Sequence, residues 1–327
     1  MELHTHISIP KVPFPFSYRE QTLLLGSCFA ENIGKKLEEN KFKIDINPFG
    51  TLYNPASIAQ AIRVLLSPKG FTGEDLFRHK EMYHSFSHHS RFSSLSETEC
   101  LNNINNRLFY SASTVREAGR MIVTFGTAWV YKLKSNGQIV ANCHKLPEKM
   151  FEREMLSVQD ITEDWKQVLR SLWEQNPELK LLFTVSPIRH WKDGAHGNQL
   201  SKATLLLAIE ELQKEFPKQI FYFPAYEIMM DELRDYRFYA DDMLHPSALA
   251  VEYIWQRFTE SMLSDESKGI LKEWGEIQKA LNHKPFQPES EAYKQFISQT
   301  LLKIERLNEK FPYFDNTNET EILKKKF

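Results

Sequence analysis

Five short strand-like runs recur along the chain, four of them mainly apolar, at 23–26, 121–126, 181–186 and 220–223, and one at 42–46 in which Phe42, Ile44 and Ile46 alternate with Lys43 and Asp45; the stretches between them carry apolar residues three and four positions apart. Unbroken runs of this length suit strands covered on both faces of a parallel sheet, while the wider spacing is that of one helical face. Phe29, Ile33 and Leu37 make one such face, Leu205, Ala208, Ile209, Leu212 and Phe216 a second, and Val251, Ile254, Trp255 and Phe258 a third. Strands alternating with helices predict an α/β domain with a mostly parallel central sheet between helical layers. That domain is expected to span 1–264, with a histidine-rich insertion around 70–115. From 265 to 327 the pattern turns polar and amphipathic, and helices are expected over 273–281 and 292–307. In this helical extension Ile297, Leu301, Ile304 and Leu307 form one stripe that would pack either on the main domain or on a second copy, the latter making a homo-oligomer through the C-terminal helices one of the two open arrangements. Lys324, Lys325 and Lys326 read as a solvated tail.

The first apolar run stops at Gly26, and Ser27 and Cys28 follow, just ahead of a helical pattern. A glycine there lets the backbone turn tightly from strand to helix, and the unpaired N–H groups at the helix start favour a developing negative charge. Two candidate nucleophiles therefore stand side by side, and both stay open. Far downstream, Asp242 and His245 lie three positions apart, and Pro246 after them suits the first turn of a helix, where its missing N–H would have no partner. On a loop entering that helix the carboxylate can fold back onto His245 Nδ1, leaving Nε2 to face a nucleophile. Taken singly, the first group also fits a tight turn with a buried thiol, and the second an N-terminal cap beside a surface histidine. Their joint occurrence in this order points to hydrolysis through a covalent intermediate.

Gly26, Ser27, Cys28, Phe29 and Ala30 form a string similar to the signature of the GSCFA family, part of the SGNH/GDSL hydrolase superfamily, and the resemblance runs from about 23 to 258. The resemblance implies the flavodoxin-like three-layer α/β/α sandwich of SGNH hydrolases. It also implies a triad whose Asp-x-x-His block is matched by Asp242 and His245 without a gap. In direct register the superfamily's Gly-Asp-Ser block falls on Gly26, Ser27 and Cys28 and makes Cys28 the nucleophile. A slip by one residue makes it Ser27. Gly50 resembles the second-block glycine whose N–H helps form the oxyanion hole, and the strand ending at Gly126 resembles the third block. Ala128, however, stands where that block would supply an asparagine. Because one oxyanion-hole donor typically contributes about 2.7–4 kcal/mol, a substitute is expected, and Asn142 is the candidate.

Arg189 and His190 follow the run at 181–186, and ligands of open parallel sheets bind beyond the carboxyl ends of the strands. Both are therefore candidate substrate contacts, with an arginine paired to a structural acid as the equal alternative. His79, His84, His88 and His89 crowd one polar, aromatic stretch without a zinc spacing; it reads as a substrate-facing or merely solvated loop, with His89 the candidate substrate contact. Cys143 and His144 are read as strand neighbours on opposite faces, which keeps them from acting directly on each other.

A net charge of −2 with no basic, aromatic-interleaved strip excludes a nucleic-acid partner. No apolar run is long enough to span a bilayer. Three scattered cysteines make no disulfide framework, and the N-terminal residues 1–6 lack the basic head and apolar stretch of a secretory signal, so the cytoplasm is the expected compartment. The reading is an ester hydrolase or acyltransferase without metal or cofactor, acting on an O-acylated carbohydrate or related small ester. Its alternatives are a binding or interaction protein with a decayed triad, prompted by Ala128, and a thiol-dependent hydrolase of amides or thioesters, prompted by Cys28.

Overall fold

The computed structural model describes residues 5–326; the signal-sequence expectation falls largely on residues outside them. In chain order the first strand, β1 (Thr22–Gly26), feeds α1 (Cys28–Glu39), β2 (Ile44–Ile46) and α2 (Pro55–Leu66). A hairpin of β3 (Phe77–His79) and β4 (Met82–His84) precedes α3 (Glu97–Glu117) and β5 (Arg120–Phe125). Then come a small antiparallel sheet of β6 (Trp129–Leu133), β7 (Ile139–Val140) and β8 (Phe151–Met155), followed by α4 (Val158–Gln175), β9 (Lys180–Val185), α5 (Gly194–Glu215) and β10 (Ile220–Tyr222). A short α6 (Ala225–Glu227) runs into a π-helical turn, Ile228–Glu232. The chain closes with α7 (Ala248–Met262), α8 (Asp265–Leu281), α9 (Glu291–Lys310) and α10 (Thr317–Lys324).

The central sheet has the order β2-β1-β5-β9-β10 and every neighbouring pair in it is parallel. Counted as sheet strands this is the flavodoxin order, and the order reverses between β1 and β5, where such folds open their ligand crevice. Alternation along each strand sorts the apolar side chains. Leu23 and Leu25, Met121 and Val123, and Leu181 and Phe183 join a core with α2, α3, α4 and α5. Leu24, Ile122, Leu182 and Phe221 join a second core with α1, α7, α8 and α9. The expected three-layer α/β/α architecture is thus present, with helices on both faces of the sheet.

The C-terminal helices belong to the second core. Ile297, Ile304 and Leu307 are buried in it and Leu301 packs against it, with α8 and α10 as the main neighbours of α9. Trp274 Nε1 (3.3 Å) and Gln278 Nε2 (2.7 Å) donate to the Glu39 carbonyl, engaging one of the carbonyls that a helix end leaves without an intrahelical partner. The expected tail is helical through Lys324, anchored by fully buried Leu323, although its three lysines do face solvent. Within 70–115, α3 occupies the second half and buries Leu108, Ala112 and Val115 in the first core. Among the described residues no helix is long and apolar enough to cross a membrane.

Candidate active site

The bend between β1 and α1 is held from two sides. Gly26 has φ +141°, and a Cβ there would lie 2.2 Å from the Thr124 carbonyl oxygen of β5, so only glycine fits. Asn47, just past β2, accepts the Gly26 N–H on Oδ1 at 2.9 Å, while Ser27 N donates to Thr124 O at 3.2 Å. Ser27 is the N-cap of α1: its Oγ accepts the Phe29 N–H at 3.3 Å, and the residue is 1% exposed. Cys28, the first residue of the helix, is half-buried, with Sγ 3.6 Å from the Tyr53 hydroxyl. Among the described residues its N–H has no hydrogen-bond partner, as expected for a first-turn amide.

Asp242 and His245 lie on the loop before α7. Asp242 Oδ1 accepts the N–H groups of Leu244 and His245, each at 2.9 Å, in a turn that puts Met243 at φ 59°. Its Oδ2 lies 2.5 Å from His245 Nδ1. An ionised carboxylate only accepts, so the proton is on Nδ1 and Nε2 is left for another partner. The N–H groups of His245 and Leu244, then the imidazole, hold the Asp242 carboxyl down to about 2. Pro246 is not in the first turn of α7; Ser247 is the N-cap and Pro246 precedes it.

The β1–α1 bend and the loop before α7 meet in one cavity of about 460 Å³, whose lining includes Ser27, Cys28, Tyr53, Asn54, Asn142, Arg189, His190 and His245. No hydrogen bond joins Cys28 to His245 among the described residues; such contacts commonly tighten only when substrate is bound. Trp129, Tyr131 and Trp191 supply aromatic wall, and Arg153 stacks 4.3 Å over the Trp129 ring while pairing with Asp193. Burial, then the charges of Lys202, Arg153 and His245, lowers His190 to about 4, so it is neutral near pH 7. Beneath the floor, Lys202 is fully buried and donates to the carbonyls of Gly126 (2.6 Å) and Ser186 (2.7 Å), stapling the ends of β5 and β9.

Three expected site residues lie elsewhere or are otherwise engaged. Gly50 does not line the cavity: its N–H donates to Asn47 O at 2.8 Å and its Cα faces His89. His89 is likewise off the cavity, its Nδ1 accepting the Arg91 N–H at 3.2 Å. Gly126 lies behind the wall, donating to Tyr53 O at 2.8 Å. Ala128 is fully buried with its N–H on Ser201 Oγ, confirming that no side-chain donor comes from that position. Asn142 is on the wall, with Oδ1 accepting the His144 N–H at 2.8 Å.

Cys143 and His144 lie not on a strand but in a turn after β7, where His144 has φ 47°. Burial raises the Cys143 thiol to about 11. His144 bonds Ser85 O, His84 bonds Ser93 Oγ, and His88 stacks on Phe49, so these histidines build a packed aromatic cluster. Among the described residues no three His, Cys, Asp or Glu side chains gather as a metal site.

Sequence reading missed Tyr53 and Asn54. Burial, then the charges of Cys28 and Glu31, pushes the Tyr53 phenol well above its usual range, so it stays a donor. Asn54 caps α2, its Oδ1 accepting Ser57 N at 2.8 Å, and its Nδ2 makes no hydrogen bond among the described residues. An Asn before a Pro-led helix is a readable cap, but nothing local shows that it faces Cys28.

These features define a class: an α/β protein of flavodoxin order whose switch-point crevice brings a thiol and an imidazole–carboxylate pair into one aromatic-walled cavity. Residues 21–258 match the GSCFA family and 274–327 match the C-terminal domain of GSCFA domain proteins. The chain belongs to the GSCFA family. Among solved structures it is similar to a candidate platelet activating factor from Streptococcus pneumonia, at 11% identity over 77% of this chain and 85% of that one, with a TM-score of 0.37. It is also similar to an acetyl xylan esterase from the rumen bacterium Butyrivibrio proteoclasticus, at 9% identity over 75% of this chain and 63% of that one, with a TM-score of 0.35. No curated protein matches it in sequence.

Proposed function

We propose that the chain hydrolyses small O-acyl esters, an acylated carbohydrate among them, through Cys28, His245 and Asp242. The observation behind this is the shared cavity: the thiol at the start of α1 and an imidazole already oriented by its carboxylate line one crevice. His245 Nε2 takes the Cys28 proton and the sulfur attacks the acyl carbon. The C–O bond to the alcohol then breaks, and His245 returns the proton to the leaving oxygen. Water, deprotonated by His245, cleaves the thioester and restores the thiol. The negative oxygen of each tetrahedral intermediate is met by the Cys28 N–H and the Tyr53 hydroxyl, with Asn54 and Asn142 at the wall. The exposed ring of Trp191 offers a flat apolar face of the kind a sugar ring covers.

Ser27 fits the nucleophile role less well because its oxygen is buried and engaged in capping α1. The test is 4-nitrophenyl acetate turnover with mass analysis of the quenched protein. An acetyl adduct on the peptide bearing Cys28 is expected, with formation nearly abolished in His245→Ala. Turnover unchanged by that substitution would remove the base and the mechanism with it.

A further inference from the structure

We propose that Arg189 is a carboxylate-binding residue and that the substrate carries an acidic group seated in a second basin beside the His245 loop; this rests on the ester-hydrolase reading and narrows its substrate class. The basin, about 630 Å³, adjoins the thiol cavity, and Arg189 and Trp191 line both. Its walls are apolar and soft: Met229 and Met230 from the π-helical turn, with Tyr236, Tyr239 and Met243. Single π-turns of this kind recur at functional sites, and methionines adapt their shape to an incoming group.

What selects an acid is the state of the arginine. Its one hydrogen bond among the described residues runs from Nη2 to Met230 Sδ, 3.4 Å away, and its Nε is buried with no partner. A guanidinium is always charged, and although Arg189 is half-buried as a whole, its buried Nε lacks the partner that a carboxylate oxygen would supply. The neighbouring carboxylates do not serve it. Asp235 is held by the Arg237 side chain at 2.8 Å, and Asp242 by His245 and two N–H groups. Arg234 brings a second cation to the same wall. An apolar or aromatic body bearing a carboxylate matches both the walls and the floor.

The experiment compares each acid with its neutral isostere: 4-acetoxybenzoate against its methyl ester, and 4-nitrophenyl hydrogen succinate against its methyl ester. One acid at least should be preferred by about 10- to 100-fold in kcat/KM, the scale of a charge-assisted hydrogen bond. That ratio should collapse in R189Q and survive in part in R189K. No preference for either acid in the unsubstituted protein, or a preference that persists in R189Q, overturns the proposal. If none of the four esters is turned over, the ester reading fails on its own. Titration of the protein with benzoate then decides the arginine separately: saturable binding lost in R189Q supports it, and its absence overturns it.

Discussion

Ser27 and Cys28 are adjacent, yet the proposed mechanism gives them different work, and substitution to alanine separates the two. Ser27→Ala removes the Oγ that accepts the Phe29 N–H at 3.3 Å inside a position 1% exposed. Loss of an N-cap costs about 0.5–2 kcal/mol, and for a chain of 327 residues about 1 kcal/mol lowers Tm by roughly 1–2 °C. Turnover should persist, because the thiol and the His245 pair are untouched. Cys28→Ala does the opposite. It removes no cap, since the side chain's one hydrogen bond among the described residues is the 3.6 Å contact to Tyr53, so the melting temperature should hold within about a degree. Ester turnover should fall by several orders of magnitude, as when a triad nucleophile is removed. Calorimetry paired with the 4-nitrophenyl acetate assay reads both effects. Turnover surviving in Cys28→Ala and vanishing in Ser27→Ala would refute the assignment.

Other expectations follow from the same geometry. Tyr53→Phe removes a hydroxyl held protonated by burial and should lower kcat by about 10²- to 10³-fold with little change in KM; unchanged kcat would discharge Tyr53 from the oxyanion site. Asp242→Asn should cost about 10⁴-fold in kcat through the wrong imidazole tautomer, and a loss under tenfold would mean the pair does not orient His245. Burial lowers His88 to about 3 and His144 and His190 to about 4. Between those values and about 6.5 the unfolded chain binds more protons than the folded one, so folding stability rises with pH across that window and is lost as pH falls through it. Urea unfolding at pH 7, 6 and 5 checks this, and a midpoint that does not fall with pH would contradict it.

The apolar runs, the glycine bend and the Asp-x-x-His loop were legible in the residues because each rests on a local rule: a two-residue or 3.6-residue period, a φ that only glycine tolerates, a turn closed three positions away. They set the parallel sheet, the helical layers and both ends of the candidate triad. Tertiary structure decided the rest, because no local period encodes which strand lies beside which. Placing β1 between β2 and β5 brings Asn47 and Thr124 onto the Gly26 bend, and the N-cap so formed turns the Ser27 oxygen inward while Cys28 meets the cavity. The same strand order sets Tyr53 against the sulfur and leaves Arg189 facing a thioether instead of a carboxylate. These are contacts between residues tens of positions apart, and they exist only once the sheet has selected its neighbours.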